Sequence, residues 1–279
     1  MDQELPVTIT PADVHDLDPD KLVILDVRWK LGDPKGRDNY LMGHLPAAVF
    51  VDMEADLAAP ASPEDGRHPL PSLEDFQATA RRWGINDGDT VVVYDNSGSM
   101  AAARAWWLLR AHGHGDTRIL DGGLMAWVLE DFPIEKDDVT LPAGNVTLQP
   151  IDPGSVIGTE QAASWSGRGV LLDARATERF RGEVEPIDPR AGHIPGAVSA
   201  PTTGNLDEDG AFLTPEALRE RFAALGVEPG RPVAVYCGSG VTAAHEVAAL
   251  KLAGIEAALY PGSFSQWSND SSREVATGD

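Results

Sequence analysis

Cysteine is almost absent. Cys237 is the one thiol in 279 residues, so no intramolecular disulfide can form. A fold stapled by cross-links is excluded, and a lone thiol suits a reducing compartment, so a cytoplasmic location is expected. Cationic side chains are scarce: 22 Lys and Arg face 44 Asp and Glu, a net charge of −22. A surface of that sign repels polyanions, so neither nucleic acid nor an anionic membrane is expected as a partner. It places no bound on a small substrate, whose site can be locally positive. No apolar run approaches the roughly 18 residues of a membrane span. Residues 1–6, Met-Asp-Gln-Glu-Leu-Pro, lack the basic and apolar segments of an export signal. No His, Cys or acidic cluster has metal-ligand spacing and no glycine-rich stretch has a dinucleotide context, so no metal and no other cofactor is expected.

What is present is a repeat. Val23-Ile-Leu-Asp-Val-Arg28 returns as Val170-Leu-Leu-Asp-Ala-Arg175, and Gly43-His-Leu-Pro-Ala-Ala-Val49 as Gly192-His-Ile-Pro-Gly-Ala-Val198. Thr90-Val-Val-Val-Tyr94 is matched by Pro232-Val-Ala-Val-Tyr236, and the stretch ending in Trp127 by the one ending in Trp267. Order is kept and the offsets run from 140 (127→267) to 149 (44→193), which means duplication and two covalently joined domains. Within each copy, short apolar runs alternate with helix-patterned segments. The segment 71–83 carries a Ser72 cap and sets Leu73, Phe76 and Ala80 on one face; its counterpart opens with Thr214 as cap and Pro215 at the first helical position. This alternation predicts an α/β fold in each copy, a parallel sheet flanked by helices on both faces. The predicted domains are residues 1–140 and 156–279, joined by a Pro- and Gly-containing linker over 141–155.

The segment that carries chemistry is Val235-Tyr-Cys237-Gly-Ser-Gly-Val-Thr242-Ala-Ala-His, in which an apolar strand, a tight loop and a helix follow one another. Cys237 then lies at the carboxyl end of a strand, where open α/β sheets place ligands. Gly238 and Gly240 let successive N–H groups turn inward as an anion cradle, and the following helix adds the positive end of its dipole. Both features surround the sulfur with partial positive charge and make Cys237 the expected nucleophile. The first copy has Asp95 at the matching position, and a carboxylate cannot carry transferable sulfur, so only the second copy is competent. A cysteine phosphatase is excluded, because its phosphate loop needs a closing arginine where this chain has Ala243, and residues 238–246 contain no Arg.

Cys237-Gly-Ser-Gly-Val-Thr-Ala243 resembles the active loop of the rhodanese family, and within it that of the mercaptopyruvate-using branch; thiosulfate-preferring members have two bulkier residues after the cysteine, one of them basic. The paired Gly-His-Leu/Ile-Pro motifs, Arg179-Phe-Arg-Gly182 and Tyr260-Pro-Gly-Ser263 are also similar to family signatures. The resemblance implies tandem rhodanese-like domains, the first catalytically silent and the second carrying a persulfide on Cys237. It implies a substrate contact from Arg179, with Arg190 as a further candidate cation, and main-chain contacts from Gly238, Gly240, Val241 and Thr242. A guanidinium suits a carboxylate because its fork offers two parallel hydrogen bonds. The resemblance also implies that Ser239 acts with His68 and a carboxylate, which by local match is Glu54 where relatives more often have Asp. His44 and His193 recur in both copies, including the silent one, and are therefore expected to be structural; Trp106, Trp107, Trp127 and Trp267 are expected in the core.

Together these features predict a sulfurtransferase that takes sulfane sulfur from a small anionic donor, 3-mercaptopyruvate first, and passes it to a thiol or cyanide, with a thioredoxin-like reductant among the acceptors. Two alternatives remain at this point: thiosulfate as the main donor, and a persulfide carrier without turnover of free donor.

Overall fold

The computed structural model describes residues 5–279; residues 1–4, which belong to the segment read as lacking an export signal, lie outside the described residues. The chain forms two compact units. The first comprises residues 5–57, 71–151 and 208–211, the second 58–70, 152–207 and 212–279.

In the first unit five strands, β1 (Thr8–Ile9), β2 (Leu22–Asp26), β3 (Val49–Phe50), β4 (Thr90–Tyr94) and β5 (Thr117–Leu120), pair in the order β1-β5-β4-β2-β3. In the second, β6 (Val170–Asp173), β7 (Val198–Ser199), β8 (Val233–Tyr236) and β9 (Ala257–Leu259) pair as β7-β6-β8-β9. Every pairing is parallel. The α/β architecture with flanking helices is therefore as the alternating pattern predicts. Successive residues Val91, Val92, Val93 and Tyr94 are all fully buried, as are Ala234, Val235 and Tyr236, so both sheet faces are covered, which is why these strands read as continuous apolar runs.

The helices follow their caps. Ser72 Oγ accepts the Asp75 N–H at 3.1 Å to start Leu73–Arg82, and Phe76 and Ala80 are buried while Leu73 is half-buried. Thr214 Oγ1 accepts from Ala217 N at 3.3 Å and Pro215 opens Pro215–Ala224. The proline- and glycine-containing stretch after residue 140 is pinned along the first unit, where Gly144 N donates to Arg81 O at 2.7 Å and Gln149 N to His112 O at 2.8 Å.

The repeat extends to side-chain networks. In the first unit β2 and β4 set Asp26 beside Tyr94; the Tyr94 hydroxyl donates to Asp26 at 2.5 Å and accepts from Leu45 N at 3.0 Å. Arg28 closes the group, bonding Asp26 at 2.6 Å and the carbonyl of Gly43 at 3.1 Å. The second unit repeats this with Asp173 beside Tyr236, Arg175 on Asp173 at 2.6 Å and on Gly192 O at 2.7 Å, and Ile194 N on the Tyr236 hydroxyl at 3.1 Å. Burial, then the neighbouring Asp173 charge, holds the Tyr236 hydroxyl protonated far above its ordinary range, so it stays a donor. His44 stacks on Tyr40 at 4.1 Å and His193 on Phe180 at 3.7 Å, each with a ring nitrogen on a main-chain carbonyl at 2.8 Å. Both histidines are structural, and Trp106, Trp107, Trp127 and Trp267 are buried.

Candidate active site

In the second sheet, β6 leads to β7 on one side and β8 to β9 on the other, so the chain diverges between β6 and β8. The crevice beyond the carboxyl ends of two such strands is where open α/β sheets hold ligands. Cys237 follows β8 there, and the segment carrying Arg179 and Asp188 follows β6.

The Cys237 loop is fixed from behind by the segment after β9. The Cys237 N–H donates to Ser263 Oγ at 3.1 Å, and the carbonyls of Cys237 and Gly238 accept from Phe264 N and Ser265 N, both at 2.9 Å. With its main chain held, the loop can turn inward. Gly240 takes φ +80°, a left-handed conformation that a side chain disfavours, and its N–H points at Cys237 Sγ at 3.1 Å. Val241 then leads into the helix Thr242–Leu252, whose amino end begins five residues beyond the sulfur. The cysteine itself is buried, 1 % exposed.

Ser239 meets His68. Ser239 Oγ and His68 Nδ1 are 2.7 Å apart and both side chains are buried. The segment 58–70 that brings His68 belongs to the second unit, although it lies between stretches of the first in sequence. A histidine on a serine hydroxyl beside a sulfur nucleophile is a pair that can polarise a carbonyl oxygen and exchange a proton with it.

Arg179 stands on the short helix Thr177–Phe180, and its guanidinium is aimed by carboxylates. Nη2 bonds Glu185 at 2.7 Å and Asp188 at 3.1 Å, and Nε bonds Glu185 at 3.2 Å. That leaves Nη1 toward the loop: a Cβ built on Gly238 would lie 3.6 Å from it. Burial acts to raise the Glu185 carboxyl, but Arg179 and the N–H groups of Asp188 and Ile187 outweigh it and hold Glu185 below the ordinary carboxylate range. Burial lifts Asp188 above that range, with Arg67 and Arg179 pulling against it.

Arg190 donates to the carbonyls of Ser268 (2.8 Å), Trp267 (2.9 Å), Arg273 (2.6 Å) and Asp270 (2.6 Å), so it fastens the end of the helix Ser263–Asn269. Glu54 lies in the first unit on the helix Met53–Asp56, where its carboxylate accepts from Trp29 Nε1 at 3.2 Å. Sequence reasoning missed Arg67. Its guanidinium pairs with Asp188, and its Nη2 lies 2.8 Å from a Cβ built on Gly238. The adjacent His68 was the only local signal, since nothing in the spacing brings residue 67 to residue 238. Among the described residues no group of three or more His, Cys, Asp or Glu side chains is placed to hold a metal ion.

Comparison with known proteins agrees with this geometry. The rhodanese-like domain family matches residues 10–130 and again 159–270. The chain is 48% identical over 267 residues to a probable 3-mercaptopyruvate sulfurtransferase of Pseudomonas aeruginosa, covering 92% of this chain and 93% of that one. It is 48% identical over 261 residues to a Mycobacterium tuberculosis protein provisionally named a thiosulfate sulfurtransferase, covering 93% and 92%. The crystal structure of SseA from Escherichia coli, described as a 3-mercaptopyruvate enzyme of rhodanese fold, superposes with a TM-score of 0.81 at 35% identity, over 92% of this chain and 98% of that one.

Proposed function

The chain belongs to the rhodanese family as a tandem-domain sulfurtransferase, and we propose from this premise that it draws sulfur from 3-mercaptopyruvate through a persulfide on Cys237. The observation that carries the reading is the meeting of the Cys237 cradle with the Ser239–His68 pair, 2.7 Å apart, in one unit.

The steps follow from the residues. Arg179 receives the donor carboxylate on its loop-facing edge and so sets the thiol sulfur against Cys237 Sγ. The Cys237 thiolate bonds to that sulfur, the carbon–sulfur bond breaks, and pyruvate departs as its enolate with the electron pair. Ser239, with its proton shared with His68, steadies the enolate oxygen as charge develops there. The enolate carbon takes up the proton that the donor thiol brought, giving pyruvate and a Cys237 persulfide anion. The inward N–H groups of residues 238–242 hold that anion. An acceptor thiolate or cyanide then bonds to the outer sulfur and Cys237 leaves as thiolate. A thioredoxin-like dithiol suits the acceptor role, because its second thiol resolves the mixed persulfide and releases sulfide. The first domain is silent, and residues 141–155 join the two. A cytoplasmic location fits a nucleophilic thiol that must stay reduced.

The test is to incubate the protein with 3-mercaptopyruvate or thiosulfate, weigh it, and measure pyruvate and thiocyanate. One added sulfur is expected on the wild type and none on Cys237→Ser, with mercaptopyruvate giving the higher kcat/KM. Turnover by the serine variant would overturn the persulfide; a lower kcat/KM for mercaptopyruvate than for thiosulfate would overturn the choice of donor alone.

A further inference from the structure

The loop from Gly238 to Val241 carries no charge of its own, and glycine at 238 leaves open the space beside the nucleophile where a side chain would stand. That space is occupied. Nη2 of Arg67 comes within 2.8 Å of the point a Cβ would take on Gly238, and the guanidinium of Arg179 within 3.6 Å. Two guanidinium groups thus converge on the side-chain position of Gly238, the first residue after Cys237, and Asp188 bonds both. Arg67 is anchored at its main chain as well, its N–H on Ser265 Oγ at 3.1 Å. Its Nε is buried and has no hydrogen-bond partner among the described residues. A buried N–H of a cation without an acceptor is an unfavourable arrangement that a bound anion would relieve.

We infer that Arg67 is a donor-binding cation supplied to the loop from outside it, and that it governs how well thiosulfate competes with a keto-acid donor. The inference rests on the sulfurtransferase reading above. The two donors ask different things of the site. Mercaptopyruvate carries one carboxylate, which a single guanidinium can take, and its leaving group develops charge on an oxygen beside Ser239 and His68. Thiosulfate has no carbonyl for that pair to polarise. When the Cys237 thiolate bonds to its outer sulfur, the sulfur–sulfur bond breaks and sulfite leaves with the electron pair as a dianion; no proton moves. Its departure depends on positive charge near the sulfonate, and Arg179 alone, already shared between Glu185 and Asp188, supplies one edge. Arg67 supplies the second.

The experiment uses the full chain with Arg67→Met, which keeps an unbranched stem and removes charge, and Arg67→Lys. Each is assayed for kcat/KM with thiosulfate and with mercaptopyruvate, cyanide being the acceptor in both. For Arg67→Met the thiosulfate value should fall by about ten- to a hundredfold, the loss of a charge-assisted contact, and the mercaptopyruvate value by a few-fold at most. Arg67→Lys should recover part of the thiosulfate loss, and inhibition by sulfite should weaken in step with it. Equal losses for both donors, an unchanged donor ratio, or a wild type that loads from mercaptopyruvate and not from thiosulfate would overturn the role of Arg67 while leaving the proposed function intact. A wild type that loads from neither donor removes the function and this inference together. Should Arg67→Met fail to fold, the donor ratio of Arg67→Lys decides the matter in the same way.

Discussion

The two units carry the same loop at the end of the same central strand, and they fill it differently. In the first, Asp95 turns its carboxylate into the loop: Oδ1 accepts from Ser97 N at 2.7 Å and Ser99 N at 2.9 Å, Oδ2 from Ala101 N at 2.8 Å and Ala102 N at 3.0 Å. In the second, Cys237 offers a sulfur one bond from Cβ, with the Gly240 N–H on it. From Cβ, a carboxylate reaches two bonds to its oxygens and a persulfide two bonds to its outer sulfur, and both bear one negative charge. The first unit therefore displays, as a permanent side chain, an anion of the kind that the proposed persulfide would place in the second. The lesson is that the cradle belongs to the fold and the chemistry to the one atom placed in it. The following helices diverge as well: nine residues beyond each loop head stand the fully buried Arg104, which donates to Leu57 O at 3.2 Å, and the fully buried Glu246, which accepts from Asn205 at 2.7 Å.

The largest effect should come from importing the first unit's solution into the second. Cys237→Asp is expected to fold, to resist heat at least as well as the wild type, and to form neither thiocyanate nor pyruvate from either donor. An unfolded or markedly less stable variant would break the equivalence of the two loops. Next in size is Asp95→Asn, which keeps the shape but leaves an amide NH2 facing N–H groups. It should cost about 2–4 kcal/mol in chemical denaturation, since buried donors lose their acceptor; a change below ~1 kcal/mol would mean that the filled cradle contributes little.

The smallest effect is one of pH. Burial raises the Glu246 carboxyl from its ordinary 4.5 to about 7, against the pull of Thr202, Arg221 and Asn205. Because the folded value lies above the unfolded one, this group's stabilising contribution is complete below about pH 4.5 and is lost as the pH rises through about 7. Glu246→Gln should match the wild type near the lower value and exceed it by as much as about 3 kcal/mol at a pH well above 7. A difference independent of pH would show that the carboxyl does not titrate in this window.

The fold was legible because the duplication repeats its strands, turns and Asp–Arg pairs in order, and because strands covered on both faces read as uninterrupted apolar runs. Cys237, Ser239 and Arg179 stand out as candidates for a local reason, each lying in a short segment whose neighbours dictate its placement. His68 was found through its Arg-His-Pro surroundings. Arg67, one residue earlier, was not, because its role depends on where residues 58–70 pack and on the absence of a side chain at 238. The main-chain partners of Arg190 were not legible, since a guanidinium near a site motif reads as a substrate cation while its four carbonyl partners lie 77 to 83 residues away in the chain. The buried charges Arg104 and Glu246 went unread because alanine-rich helices give no sign of which polar residue is turned inward.

Ser263 adopts φ +53°, a left-handed conformation that costs a non-glycine residue about 1 kcal/mol; the first unit has Gly123 in its place, at φ +56°. In that posture the Ser263 hydroxyl accepts from Cys237 N and donates to Tyr260 O at 2.8 Å, so its proton has a fixed address on a main-chain carbonyl. Two serine hydroxyls near Cys237 thus have different kinds of partner. That of Ser263 is held on both sides by main chain, and that of Ser239 faces a histidine nitrogen at 2.7 Å. The left-handed turn at residue 263 thus ties one hydroxyl to the main chain on both sides, whereas the other meets a side chain.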